Sequence, residues 1–397
     1  MRSLLISAAF TFPLLLLTAC GSSDAEDEPQ QQASAPVAAE DDNGADEMAS
    51  RDAAPGATVE NEIPDAEDRP VMQAQVVLER LGFGPGVIDG KPGVSLTNAL
   101  KGFQESRDLP VTGELDEATK QALARWENIP ATRVVTIPQS WGDIEFSALP
   151  DRAPEQAEMT RLGYESMAEK LAERFHTTPE VLAQLNPGGR PAGTKGRASP
   201  SPTASPSAPA GTAETAKPAY SAGQQLRVPN VGADRIVASQ VDDEDWLETL
   251  RSLGVGTDQP DVARILVDES EGWLKAFDED DQLVALYTVT TGSENDPLPL
   301  GNWGVTGVAH NPPFAYDPEL FWDVRDSEES QQLPPGPNGP VGVVWIDLTK
   351  EHYGIHGTPA PETIGRAQSH GCIRLTNWDT ARLAQMVSGS TKVVFQK

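Results

Sequence analysis

Two stretches of this 397-residue chain lack the means to fold, and they decide how the rest is partitioned. Residues 20–69 carry 15 acidic and 2 basic side chains with few large apolar ones, and residues 188–219 are nearly all Gly, Pro, Ala, Ser and Thr. Such segments cannot bury enough surface to offset the entropy of ordering them. The first is expected to be a disordered acidic tether and the second a disordered insert. What remains suffices for two or three modest cores. With 30 basic against 60 acidic residues the net charge is −30, which argues against a phosphate-binding nucleic-acid surface. Two cysteines, Cys20 and Cys372, exclude a disulfide-rich scaffold and a Cys-only zinc site.

Residues 1–19 read as a removable signal. Met1-Arg2 gives a weakly positive start, and Leu4 to Leu17 is a short apolar run interrupted by Pro13. A membrane-spanning helix needs roughly 20 apolar residues, so length and flanks suit a signal better than an anchor. The run ends in Leu17-Thr18-Ala19-Cys20, followed by Gly21-Ser22. This resembles the lipobox of bacterial lipoproteins, which implies acylation of Cys20 and a lipid tie to a membrane. The alternative is an ordinary secretory signal that happens to contain a cysteine. Gly21 and Ser22 are not the aspartate that usually retains such lipoproteins in the inner membrane. The expected address is therefore the periplasmic face of the envelope, with the outer membrane favoured.

Residues 70–127 change character. Val76, Val77, Leu78 and Leu81 fall at helical spacing before Gly82, and Leu96, Ala99, Leu100 and Phe103 share a second helical face. Leu115, Ala118, Thr119, Ala122, Leu123 and Trp126 give a third, so a three-helix bundle is predicted. The phrases Leu81-Gly82-Phe83, Ile88-Asp89-Gly90-Lys91, Ala99 to Gln104 and Leu109 to Gly113 resemble the peptidoglycan-binding three-helix domain. The resemblance implies glycan contact through loops, while the apolar stripes are core. Residues 130–230 resemble an interrupted LysM module of α/β type. Tyr164, Met167, Ala168, Leu171 and Phe175 form one stripe, and Thr178-Pro179-Glu180 opens a second helix that stops at Asn186-Pro187. Ala222 to Pro229 resembles the closing strand, and Trp141-Gly142-Asp143 is the candidate remnant of the opening one. His176 reads as a helix C-terminal residue, not a ligand.

From about 260 the chain is predicted mainly β, with strands at Arg264–Asp268, Leu283–Val289, Val341–Leu348 and Lys392–Phe395 and a short helix at Arg382–Val387. Two clusters stand out there: Tyr353-Gly354-Ile355-His356-Gly357-Thr358 and Ser369-His370-Gly371-Cys372-Ile373-Arg374. A thiol is a nucleophile only as thiolate, and a neighbouring imidazole can take its proton. Gly371 before Cys372 permits a tight backbone and close approach of a carbonyl substrate. The competing readings are an inert buried cysteine and a metal site. Two His-Gly pairs, one abutting the thiol, weigh against the first. Against the second, His352 and His356 sit next to no carboxylate pair, and a catalytic zinc needs three converging ligands. Neither metal nor cofactor is expected.

His356-Gly357-Thr358 followed by Ser369 to Arg374 resembles the signature of YkuD-type L,D-transpeptidases, over about 260–397. Pro299-Leu300-Gly301 and Asn311-Pro312-Pro313 extend the likeness. One common form of that motif ends in Asn where this chain has Arg374, a departure that bears on substrate contacts. The resemblance implies a β-sandwich or barrel with Cys372 as nucleophile, His356 as general base and the Gly357 carbonyl orienting the imidazole. It implies that Ser369 and His370 line the substrate pocket and that N–H groups around Gly371 and Cys372 hold the oxyanion. Arg374 is the candidate for a stem-peptide carboxylate, with a structural salt bridge as the alternative. Tyr353 and Trp345 are read as β-core aromatics. The implied activity releases D-Ala from a peptidoglycan tetrapeptide through a thioester and passes the acyl group to an amine on another stem or on a protein. A hydrolase or lipoprotein-attaching enzyme with the same site is one alternative. A non-catalytic wall-binding lipoprotein is another.

Overall fold

A computed structural model describes residues 63–194, 220–232, 235–293, 295–320, 329–369 and 371–397. The expected signal, Cys20, residues 20–62 of the tether, residues 195–219 of the insert and His370 lie outside the described residues. The tether was expected to run to residue 69, but residues 63–69 are held in place. Arg227 donates to the Ile63 carbonyl at 2.7 Å, and Asp65 accepts from the Thr132 hydroxyl at 2.6 Å.

Helix α1 (Pro70–Arg80) opens on a proline, whose missing N–H would have had no helical partner at that position. It stops before Gly82, whose φ of +88° suits a residue without a side chain. After the two-residue strand β1 (Phe83–Gly84) come α2 (Val94–Ser106) and α3 (Glu117–Leu123), the last capped by Asp116 accepting from the Thr119 N–H. Of the predicted third stripe Thr119 is buried, whereas Ala118 faces solvent. Buried Gln104 spends its amide on Thr112, Glu114 and Thr119 and accepts from the Gly113 N–H, so one side chain holds the whole α2–α3 loop. The predicted bundle does not close on itself. Leu78, Phe83, Leu96, Ala99, Leu100 and Phe103 share one core with Trp273 and Leu286 of the following β domain. Gly102 makes that approach feasible, because a Cβ there would lie 2.8 Å from the Leu286 Cβ.

The second segment pairs β2 (Thr132–Thr136) antiparallel with β3 (Gln225–Pro229). Between them run α4 (Ala153–Ala157), α5 (Met167–Arg174) and α6 (Pro179–Leu185). Ser166 and Thr178 cap α5 and α6 by accepting from Glu169 and Val181 N–H groups. The strand of this segment thus lies at Thr132–Thr136, whereas Trp141–Asp143, the expected strand remnant, lies in a 3-10 turn. Val134 and Val135 between threonines make Thr132–Thr136 β-rich, but it lacks the Gly-Asp pair that marks the opening strand in the resemblance.

Helix α7 (Glu244–Leu253) precedes strands β4 (Arg264–Asp268), β5 (Trp273–Phe277), β6 (Leu283–Thr288), β7 (Gly301–His310), β8 (Phe314–Tyr316), β9 (Gln331–Leu333), β10 (Val344–Leu348), β11 (Gly354–His356) and β12 (Ile373–Arg374). Helix α8 (Asn377–Met386) and strand β13 (Lys392–Gln396) end the chain. Nine strands form one sheet in the order β1-β6-β5-β4-β13-β7-β10-β11-β12. The last strand therefore sits mid-sheet, parallel to β4 and antiparallel to β7. The sheet curls until its far strand returns to β6: Thr290 and Arg374 exchange two backbone hydrogen bonds of 3.1 and 2.9 Å. Thr376 caps α8 by accepting from Asp379 N–H, which places the helix start five residues before the predicted one.

Candidate active site

Strands β11 and β12 run parallel in the register Ile355↔Ile373 and His356↔Arg374. Both isoleucines are fully buried. Side chains alternate along a strand, so Gly354, His356, Cys372 and Arg374 share the opposite face. The two sequence clusters, separated by a loop, thus meet as diagonal neighbours on one side of the sheet.

The imidazole is fixed. His356 is 4 % exposed and its Nδ1 lies 2.7 Å from the Gly357 carbonyl oxygen. A carbonyl only accepts, so Nδ1 carries the hydrogen and Nε2 keeps its lone pair. Burial, reinforced by the Arg374 charge and opposed by the Gly357 bond, holds the imidazole pKa down to about 3. Burial also pushes the Cys372 thiol up, against the pull of the Gly354 N–H and Arg374. Both shifts favour a neutral thiol and a neutral imidazole over a preformed ion pair. The thiol hydrogen bond goes to the His352 carbonyl at 3.8 Å.

The remaining expected residues fall out differently. The Ser369 hydroxyl donates to the Cys372 carbonyl at 2.6 Å, and its N–H donates to Thr291 at 3.0 Å. Ser369 is buried and ties the turn that carries Cys372. Gly371 has φ +97°, and a Cβ there would meet the Tyr353 ring at 2.6 Å, so the turn needs glycine on two counts. Arg374 bears electrostatically on both the imidazole and the thiol. Tyr353 and Trp345 are not core aromatics as expected. Both are half-buried; Tyr353 closes on Gly371, and Trp345 stacks on the His356 ring at 5.5 Å and 20°. Gly354 leaves room for that indole, since a Cβ would lie 2.5 Å from it. Sequence reading also missed Asn377, whose Oδ1 lies so close to Gly357 that a Cβ there would be 2.2 Å away. Alternation along Trp345-Ile346-Asp347 could have found Trp345, because buried Ile346 puts its neighbours on the other face. Among the described residues no group of three His, Cys, Asp or Glu side chains gathers to hold a metal.

Residues 263–395 match the family model described as YkuD, the L,D-transpeptidase catalytic domain, and residues 67–123 match the one described as "Putative peptidoglycan binding domain". The "Putative L,D-transpeptidase YkuD" of Bacillus subtilis is 49% identical over 61 residues, 15% of this chain and 37% of its own length. The "Putative L,D-transpeptidase YqjB" of the same organism is 31% identical over 120 residues, 29% and 61%. The chain thus spans less than two thirds of these curated relatives. Among solved structures, L,D-transpeptidase 3 from Mycobacterium tuberculosis shares 17% identity, with a TM-score of 0.29 over 35% of this chain and 62% of that one. The chain therefore carries a mainly-β YkuD-like L,D-transpeptidase catalytic domain preceded by a helical domain of the peptidoglycan-binding type.

Proposed function

We propose that the protein is a peptidoglycan L,D-transpeptidase that works through a Cys372 thioester. The observation that carries this is the fixed tautomer of His356, whose lone-pair nitrogen belongs to the same strand face as Cys372. As the thiol attacks the carbonyl of the L-centred third residue of a tetrapeptide stem, Nε2 takes its proton. N–H groups at Gly371 and Cys372 receive the oxyanion. The S–C bond is then complete, the C–N bond to the terminal D-Ala breaks, and the imidazolium returns the proton to the departing amine. A second amine resolves the thioester by the reverse sequence. Arg374 stabilises the thiolate and is the candidate contact for a stem carboxylate. Ser369 acts through the turn that it ties, and His370 is kept as a pocket residue on the motif alone.

The rest of the chain supports delivery to the wall. Helices α5 and α6, with the short α4 before them, run between the paired strands β2 and β3, which supports the LysM-like reading of residues 130–230, and the helical domain supports glycan or stem binding. The Leu17-Thr18-Ala19-Cys20 motif supports a lipid anchor on the periplasmic face of the envelope, with the outer membrane favoured. The reaction is tested by incubating the protein with a tetrapeptide stem and reading the intact mass. Wild type is expected to gain the acyl-tripeptide mass with release of free D-Ala, and Cys372→Ala to gain nothing. An unchanged wild-type mass with no D-Ala released contradicts the proposal.

A further inference from the structure

We propose that Glu173, which α5 contributes from outside the residues matching the catalytic domain, is a positioning residue for the base His356. The inference rests on the reading that His356 takes the thiol proton. The link runs through Asn377. Glu173 is 9 % exposed, and its Oε1 accepts from Asn377 Nδ2 at 2.7 Å. The second hydrogen of that amide goes to the Pro337 carbonyl at 3.0 Å, while Oδ1 accepts from the Val343 N–H at 3.3 Å. Two acceptors on one side and a donor on the other fix which way the amide points.

Held in this way, Asn377 is wedged against the backbone that presents the base. Its Oδ1 sits where a Cβ on Gly357 or Gly342 would lie 2.2 or 1.9 Å away, and both positions are glycine. Gly357 in turn offers its carbonyl to His356 Nδ1 at 2.7 Å. The Tyr164 hydroxyl also hydrogen-bonds Glu173, with Glu169 and Lys170 nearby on its own helix. Removing the carboxyl leaves one hydrogen of a buried amide without a partner, so the amide turns to find one. The Gly357 carbonyl then loses its support, and the imidazole loses the contact that sets its tautomer.

The test uses the full chain carrying Glu173→Leu, which removes the acceptor, and Glu173→Gln, which keeps one. Glu173→Met, unbranched and of similar length, replaces the Leu variant if that one does not fold. Glu173→Leu is expected to lower kcat for D-Ala release about tenfold with KM within about twofold, and Glu173→Gln to restore it. In a His356→Asn background Glu173→Leu is expected to cost nothing further, because the effect passes through that ring. Ring-nitrogen NMR shifts of His356 are expected to report one tautomer in wild type and a mixture in Glu173→Leu. Wild-type kcat and a single tautomer in the Leu variant overturn the proposal. So do additive losses in the His356→Asn background, or a Gln variant as impaired as Leu. If wild type releases no D-Ala, the proposed activity falls, while the His356 tautomer still decides the role of Glu173.

Discussion

The chemistry of the site turns on one orientation and two neutral groups. His356 gives its Nδ1 hydrogen to Gly357, and burial holds the imidazole pKa down to about 3 and pushes the Cys372 thiol up. Arg374 is the cation that favours thiolate and disfavours imidazolium. Alkylation of Cys372 in the absence of substrate is therefore expected to be slow at neutral pH and to rise only near or above the free thiol value of about 8.5. Arg374→Gln removes the stabilising charge, so its alkylation profile should shift to higher pH, as read on the Cys372-containing peptide. A profile shifted to lower pH contradicts the assignment. At this scale the sequence was informative. The sole thiol of the described residues and the His356-Gly357 pair singled out, from residue chemistry alone, two groups that the strand register brings to one face of the sheet. Trp345, Tyr353 and Asn377 escaped because their roles come from packing against Gly354, Gly371 and Gly357, contacts that spacing along the chain does not announce.

At the scale of elements, legibility followed the source of stability. Strands β4, β6, β10 and β13 carry β-branched or aromatic runs, and each was visible in the sequence. Strand β7 was not, because Gly301, Gly304 and Gly307 dilute its pattern, and neither was β1, whose two residues are a strand only by pairing with β6. The start of α8 was placed late because Thr376 was not read as its cap. Thr376 accepts from the Asp379 N–H at 3.1 Å and donates to its carboxyl at 2.7 Å. Thr376→Ala is expected to lower stability by about 1 kcal/mol in denaturant unfolding. Thr376→Ser, which keeps the hydroxyl, should recover most of that loss. A Ser variant no better than Ala means that the methyl contacts, not the cap, matter there.

Over the whole molecule, the segments that sequence reading separated are joined by buried polar groups. Glu79 of α1 meets His176 at 2.7 Å and Arg382 of α8 at 2.9 Å, and the His176 ring stacks on Trp378 at 4.8 Å. His176 is thus a junction residue between the helical domain, the second segment and α8. Asp379 lies beside this cluster. Burial and the Glu79 charge raise its carboxyl to about 8, so it holds a proton in the fold that the unfolded chain has released above about 4. Stability from such a group is present at low pH and is lost as pH rises through 8. Burial raises Glu173 in the same direction, also to about 8. His356 acts oppositely, but only below about 6.5, where the unfolded imidazole takes up a proton. Between about pH 6.5 and 8 the thermal midpoint is therefore expected to fall, and Asp379→Asn to fall less steeply. An unchanged slope in that variant removes Asp379 from the cause.

We propose that Cys372 and His356 form one acyl-transfer site acting on the wall. The most direct test is to incubate the chain from Gly21 onward with purified disaccharide-tetrapeptide and to separate the products by liquid chromatography with mass spectrometry. Dimers lacking one D-Ala are expected, absent with Cys372→Ala and reduced by about a hundredfold or more with His356→Asn. Tripeptide without dimers would assign the site to hydrolysis or to a protein acceptor. Unchanged substrate in every sample would rule out acyl transfer at Cys372 and leave a wall-binding protein with an idle thiol.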